Sequence, residues 1–249
     1  MVVIDDPFFY AVAIPAVLLL GVSKSGFGAG FGALAVPLMA LAVSVPQAAA
    51  VLMPVLLVMD LLGIAAFRQQ VDRALFRRLL LPGLAGIVLG ALLFRALDAR
   101  WVAGVVGVLT WLFLWQRWRR AQAADTSVPA PWVQRVLTLA SGFTSFVAHA
   151  GGPPIQAALL PLRLPPLVFT ATLAYFFFVI NLAKWLPYAW LGLIDARNMG
   201  TSLLLLPFAP VGVWVGVRLA HRISPALFYR LVHWGMFLTG GKLIWDAFA

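Results

Sequence analysis

Long apolar stretches separated by short polar loops make up almost the whole 249-residue sequence. Arginine, aspartate or proline follows most stretches, and the longest reach the 20 or so residues that a helix needs to cross a bilayer. The pattern predicts about ten segments, near residues 8–22, 33–43, 46–67, 79–94, 101–115, 133–147, a short one ending at 162, 167–191, 199–217 and 227–245. We therefore predict an all-α polytopic membrane protein.

The same order of segments occurs twice. Each half reads as a broken hairpin, a long helix, a loop with aspartate and arginine, a glycine-containing helix and a final helix. The aligned pairs are Gly28 with Gly151, Asp72 with Asp195, and Gly90 with Gly216. Because five segments is an odd number, the second half is expected to be inverted relative to the first. The predicted division is a first repeat over 1–120, a polar cytoplasmic linker over 121–132 and a second repeat over 133–249.

A glycine-rich stretch interrupts the start of each half. Ser23–Pro37 carries four glycines in seven positions, and Ser141–Pro154 ends in His-Ala-Gly-Gly-Pro-Pro. Glycine costs a helix about 1 kcal/mol relative to alanine, so both stretches predict broken or re-entrant helix pairs. Irregular backbone at membrane depth survives only where protein or a watery cavity surrounds it. Whether the flanking segments cross fully or re-enter is left open by the sequence.

Composition excludes several classes of protein. The chain is 63% hydrophobic and 10% charged, against about 25% charged residues in soluble domains. The absence of cysteine excludes disulfides and thiolate sites. The net charge of +10 comes from arginines that flank apolar segments, which favours a lipid bilayer over nucleic acid as the partner. Asp5-Asp6-Pro7 at the N-terminus does not resemble a cleaved signal peptide.

The charges also predict an orientation in the cytoplasmic (inner) membrane. With the N-terminus outside, the inner loops hold eleven arginines: Arg68, Arg73, Arg77, Arg78, Arg117, Arg119, Arg120, Arg135, Arg218, Arg222 and Arg230. The outer side holds four basic residues: Arg95, Arg100, Arg197 and Lys242. This distribution agrees with the positive-inside rule.

Lys24 is the first candidate for binding an anion. Ser23 and Ser25 flank it with hydroxyl donors, and the glycine-rich turn adds backbone N–H groups, with Gly26, Gly28 and Gly30 as the candidates. The alternative interpretation is a lysine that extends from a segment end to the membrane interface.

Polar residues inside the later segments are the remaining candidates. Lys184 and Asn181 follow some twenty apolar residues, with an interfacial role as the alternative for the lysine. Asp60 is costly to bury alone, so we expect it either to carry a proton or, the favoured interpretation, to pair with a lysine.

The second break adds its own candidates. His149 could donate to an anion, titrate near neutral pH or make a structural hydrogen bond, and Asp60 and His149 are the candidates for proton coupling. Gly151, Gly152 and Gln156 complete the predicted substrate-binding set. No His/Asp cluster has metal-ligand spacing, so we predict no metal, no cofactor and no catalytic residues.

The motifs resemble those of the sulfite exporter TauE/SafE (TSUP) family over nearly the whole chain. The resemblance lies in Gly-Phe-Gly-Ala-Gly-Phe-Gly-Ala-Leu-Ala-Val-Pro at 26–37, Pro-Gln-Ala-Ala at 46–49, and the second-half Ser-Gly-Phe and Gly-Gly-Pro-Pro. The matching positions are Gly26, Gly28, Gly30, Gly32, Pro37, Gly151, Gly152 and Pro153. The second half departs from the family pattern, which often has a longer glycine run where this chain has His149-Ala150.

The resemblance implies secondary transport of a small sulfur-containing or organic anion, such as sulfite, thiosulfate or sulfoacetate. Alternating access would come from one half rocking against the other. Two alternatives stay open: an anion channel that uses the same site, and a membrane-embedded enzyme acting on a lipid-linked substrate. A homodimer is one possible assembly.

Overall fold

A computed structural model describes residues 3–28, 32–122 and 130–248. Within these ranges the chain is helical and contains no β-strand. The helices are α1 Pro7–Phe27, α2 Ala35–Met39, α3 Val45–Phe67, α4 Arg73–Leu93, α5 Ala99–Gln122, α6 Pro131–Ala148, α7 Gly152–Leu159, α8 Pro166–Trp190, α9 Ala196–Leu205, α10 Phe208–Arg222 and α11 Pro225–Phe248. Short 3-10 turns lie at Gly32–Leu34, Phe94–Ala96 and Leu160–Leu162.

Four helices are long and apolar enough to span a membrane: α1, α3, α4 and α8. A fifth span results if α9 and α10, which meet at a bend of 48°, are counted together. Pro207 lies at this bend, where a proline removes a backbone donor and kinks a helix. The described residues thus form a helical protein with four or five candidate membrane spans, and the total of ten segments stays a prediction.

Several helix ends differ from the prediction. α1 continues through Lys24 to Phe27 and ends at Gly28, whose φ of 61° is left-handed, whereas the sequence predicted an end near residue 22. The helix persists because close packing outweighs the helix-breaking tendency of its glycines.

The loop predicted after α3 is also shorter than expected. Asp72 caps α4 by accepting a hydrogen bond from the backbone N–H of Leu75, so Arg77 and Arg78 lie on the helix and not in a loop. Likewise, only part of the predicted linker separates α5 from α6, since α5 reaches Gln122 and α6 begins at Pro131. Residues 123–129 lie outside the described part of the chain.

Two short helices follow the two breaks. α2 has five residues and α7 has eight, and at 1.5 Å per residue neither is long enough to cross a bilayer alone. This geometry favours re-entrant elements over complete crossings at both positions.

The helices of the two halves pack against one another in matched pairs. α1 packs on α10, α4 on α6, α3 on α8 and α5 on α11. Later residues of α1 contact later residues of α10: Gly21 lies against Gly212 and Gly26 lies against Gly216. These two helices therefore run parallel. α4 and α6 are parallel by the same criterion. α3 and α8 are antiparallel, as are α5 and α11.

Glycine residues, which have no side chain, allow these helices to approach one another closely. A Cβ added to Gly142 of α6 would lie 2.0 Å from the carbonyl oxygen of Gly83 in α4, and one added to Gly86 would lie 2.1 Å from that of Leu139. The small-residue pattern of Gly83, Gly86 and Gly90 therefore serves helix packing as the sequence predicted.

We expect Gly142→Ala to destabilise the protein, since its methyl group must displace backbone, at a cost of about 1–3 kcal/mol. Gly63→Ala is the matched control, because a Cβ there meets only the Ala174 methyl group at 3.5 Å and alanine favours a helix interior by about 1 kcal/mol. Thermal unfolding of the purified variants measures both. Equal melting temperatures for the two variants would contradict the packing argument.

Candidate functional site

A buried cavity of about 40 Å³ lies where both breaks meet the central helices. This volume accommodates a few water molecules. α1, α2, α3, α6, α7 and α8 supply its walls, together with the 3-10 turn before α2. The described lining residues are Leu20, Lys24, Gly32, Val36, Leu52, Leu56, Ser145, His149, Gly151, Gly152, Phe177, Asn181 and Lys184. Two lysines and no carboxylate are therefore among the residues that line it.

Lys24 forms a buried ion pair behind the cavity wall. Its Nζ lies 2.5 Å from Oδ1 of Asp60, and Nδ2 of Asn181 donates to Oδ2 of the same carboxylate at 2.6 Å. Lys24 is 8% exposed and Asp60 only 1%. The pairing with a lysine is thus the observed arrangement of Asp60, and it joins α1, α3 and α8 at one point.

Lys184 has only neutral partners among the described residues. Its Nζ donates to the carbonyl oxygen of Ser145 at 3.2 Å and to the Ser145 hydroxyl at 3.1 Å. It is 1% exposed, and an ammonium group buried without a counter-ion is costly. With Lys24 and Asp60 paired, the lining therefore carries one uncompensated positive charge when all three groups are ionised.

His149 closes the end of α6 in the left-handed conformation, with a φ of 51°. Its Nε2 lies 2.8 Å from the Tyr188 hydroxyl, and that hydroxyl donates to the carbonyl oxygen of Phe146 at 3.0 Å. The single hydroxyl hydrogen is thereby used, so Nε2 of His149 must be the donor in the histidine–tyrosine bond. Tyr188 thus fixes the imidazole at the cavity wall.

Residues at the two breaks line the same cavity and are also linked by a direct hydrogen bond. Gln156 of α7 donates from Nε2 to the carbonyl oxygen of Gly28 at 2.9 Å and more weakly to that of Phe27 at 3.4 Å. These carbonyls lie at the end of α1, where intrahelical partners are lacking. Gln156 therefore ties the beginning of α7 to the end of α1.

The ends of α1 and α6 give an offset between the two predicted repeats. α1 ends at Gly28 and α6 at His149, an offset of 121 residues, where the sequence had aligned Gly28 with Gly151. The same offset relates Asp60 to Asn181, which bond to each other. It also relates Lys24 to Ser145 and Gly63 to Lys184.

Six predicted binding residues line the cavity: Lys24, His149, Gly151, Gly152, Asn181 and Lys184. Ser25 and Gly28 instead line a second, smaller cavity of about 10 Å³, together with Asp60. The Ser25 hydroxyl bonds to the carbonyl oxygens of Gly21 and Val213, which ties α1 to α10.

Three further predicted binding residues, Ser23, Gly26 and Gln156, are not among the described lining residues. Gly26 packs on Gly216, Ser23 is buried elsewhere in α1, and Gln156 makes the α1–α7 link. Gly30 lies outside the described residues. Within the described part of the chain, no group of three or more His, Cys, Asp or Glu residues could hold a metal ion.

Two residues of the site, Ser145 and Phe177, were not predicted from the sequence. Ser145 holds Lys184, and only the offset of 121 residues, which aligns it with Lys24, could have identified it. Phe177 precedes Asn181 by one turn and Lys184 by two turns, so helical periodicity places all three on one face of α8. Its ring centroid lies 5.4 Å from Nζ of Lys24, within the range of a cation–π contact.

The effects of substituting Lys24 and Asp60 on the free energy of unfolding should depend strongly on each other. Lys24→Ala alone leaves an unpaired buried carboxylate, for which we expect a loss of about 3–5 kcal/mol. Adding Asp60→Asn removes that charge and should recover part of the loss in a double-mutant cycle. The partly exposed Lys242–Asp246 pair, an i,i+4 pair of α11, is the matched control, with an expected coupling below about 1 kcal/mol. Unfolding measurements that give additive effects for Lys24 and Asp60 would refute the coupling.

Comparison with known proteins agrees with this architecture. Residues 13–243 match the family described as Sulfite exporter TauE/SafE. No curated protein and no solved structure matches the chain significantly. A family match over nearly the whole chain, together with apolar spanning helices, establishes a multi-pass membrane protein. The chain belongs to the sulfite exporter TauE/SafE family of membrane transporters.

Proposed function

We propose that the protein is a secondary transporter that moves a small sulfur-containing or organic anion, such as sulfite, thiosulfate or sulfoacetate, across the cytoplasmic membrane. The observation that carries this proposal is the charge imbalance at the cavity. Two buried lysines face one carboxylate, and Lys184 contacts only neutral oxygens among the described residues. An anion in the cavity would compensate the excess positive charge.

The donor chemistry of the site fits sulfur oxyanions and carboxylates. An ammonium group has three N–H donors, and two of those on Lys184 are used by Ser145. The third donor is available for an anion in the cavity. Gly151 and Gly152 also line the cavity and leave their part of its wall without side chains. The proline residues that follow them lack N–H groups, so the lysines supply the principal donors.

The packing directions support two inverted repeats. If each broken helix pair enters the membrane and returns to the same side, and the other segments cross in turn, the first and ninth segments run parallel, as do the fourth and sixth. The third and eighth segments then run antiparallel, as do the fifth and tenth. α1–α10, α4–α6, α3–α8 and α5–α11 have these directions. Transporters with such repeats bind substrate where the halves meet, and this cavity lies between them.

The two cavities support an alternating-access mechanism. Lys24 and Phe177 line both the larger and the smaller cavity, so these side chains form part of the wall between them. A cavity of about 40 Å³ leaves little space for an anion with its hydration shell. We infer that the helices must separate to load the site, with the N-terminus outside and the arginine-rich ends inside. Asp60 and His149 remain our candidates for proton coupling.

Neutralising Lys184 should reduce transport. We expect Lys184→Gln in proteoliposomes to lower sulfite flux by at least tenfold, because the counter-charge for the anion is lost. Lys24→Gln should do the same, whereas Lys242→Gln, which lies outside the cavity, should retain normal flux. Undiminished flux in both cavity variants would remove the lysines from the mechanism. Saturation and counterflow would distinguish a carrier from a channel.

Binding alone can be measured by thermal shift. We expect sulfite, thiosulfate and sulfoacetate to raise the melting temperature of the protein, since a ligand that binds the folded state stabilises it. Taurine carries an ammonium group as well as a sulfonate, so the positive site should disfavour it. Lys184→Gln should lose the shifts that Lys242→Gln retains. Equal shifts with taurine would contradict the proposed electrostatic selection.

A further inference from the structure

A second, larger recess lies outside the transport site. It is a groove of about 930 Å³ between α4, α6 and α7, large enough to hold a ligand of drug size or greater. Its described lining combines three arginines with mainly apolar side chains. The proposed transport mechanism does not involve this groove.

The arginines lie at one end of the groove. Arg77 and Arg78 are in the second turn of α4, and Arg135 is in the second turn of α6. Because α4 and α6 run parallel, these turns lie at the same end of the bundle. All three arginines are exposed, and none forms an ion pair within the described ranges. The three arginines therefore give this part of the groove a net positive charge.

The rest of the groove is apolar. Leu81 and Ala85 of α4 and Leu137 of α6 line it. Leu81 is 76% exposed on a helix that qualifies as a membrane span, so hydrocarbon is the surrounding medium. A molecule that fits this groove must therefore combine a negative group at one end with an apolar body.

We propose that this groove binds an anionic phospholipid of the surrounding membrane. The lipid phosphate contacts Arg77, Arg78 and Arg135, and an acyl chain lies along the apolar wall. Basic recesses between membrane helices bind anionic headgroups through the same chemistry. A second copy of the chain fits less well, because a symmetric contact through this groove would bring the same arginines of both copies together.

Native mass spectrometry of the purified protein tests the proposal. Phosphatidylglycerol, cardiolipin and phosphatidylethanolamine are added separately, and retained lipid is counted. We expect retention of the two anionic lipids over phosphatidylethanolamine. The triple variant Arg77→Gln/Arg78→Gln/Arg135→Gln should bind them about 100-fold more weakly, at roughly fivefold per arginine. Equal retention of all three lipids by the unaltered protein would overturn the proposal, as would dimers in place of lipid adducts.

The control is Arg218→Gln/Arg222→Gln/Arg230→Gln, which removes three arginines that do not line the groove. It should retain anionic lipid. Equal losses of bound lipid in both triple variants would mean that the overall charge of the protein, and not the groove, determines binding. Ala85→Phe provides a charge-neutral test, because it fills the groove, with Val88→Phe outside the groove as its match. Ala85→Phe should lose lipid and Val88→Phe should keep it. Unchanged lipid binding by Ala85→Phe would exclude the groove as the lipid-binding site.

Discussion

The burial of two ammonium groups with one carboxylate is the constraint on which the site depends. Lys24 and Asp60 neutralise each other, and Asn181 occupies the second carboxylate oxygen. Lys184 is left with hydrogen bonds to Ser145, a neutral residue. An apolar helical bundle tolerates such an excess charge poorly, so the site gains most from a ligand that brings a negative charge. The unfavourable burial and the proposed affinity for anions have the same origin.

Close helix contacts make this arrangement possible. Gly21 and Gly26 allow α1 to approach the backbone of α10, so α1 remains helical past Lys24 and carries its side chain to Asp60. On the other side, Gly142 brings α6 against α4, and α6 presents Ser145 and His149 to the same cavity. The glycines of α1 and α6 thus act mainly through packing, whereas Gly28 and Gly192 adopt the left-handed conformation after the ends of α1 and α8.

Much of the architecture was predictable because apolar length and flanking charge determine which segments suit a membrane. His149, Asn181 and Lys184 were predicted as polar residues within or beside apolar runs, and Gly151 and Gly152 as part of a helix-breaking stretch. Helix ends were less predictable: the sequence around Lys24 has low helix propensity, and tertiary packing reverses that preference. Ser145 was missed because a serine in a helix is common, and its importance comes from Lys184, which lies 39 positions away.

In the proposed pair of repeats the charges are not repeated, and this difference limits how the two halves can act. At equivalent positions, Lys24 corresponds to Ser145, Asp60 to Asn181 and Gly63 to Lys184. If the halves exchanged conformations, the resulting state would not be electrostatically identical to the first, because the ion pair belongs to the first half alone. Two such states differ in how well they hold an anion, and a ligand shifts an equilibrium only by that difference. In the proposed mechanism, the repeated packing supplies two related conformations, and the charges that are not repeated make them unequal in affinity.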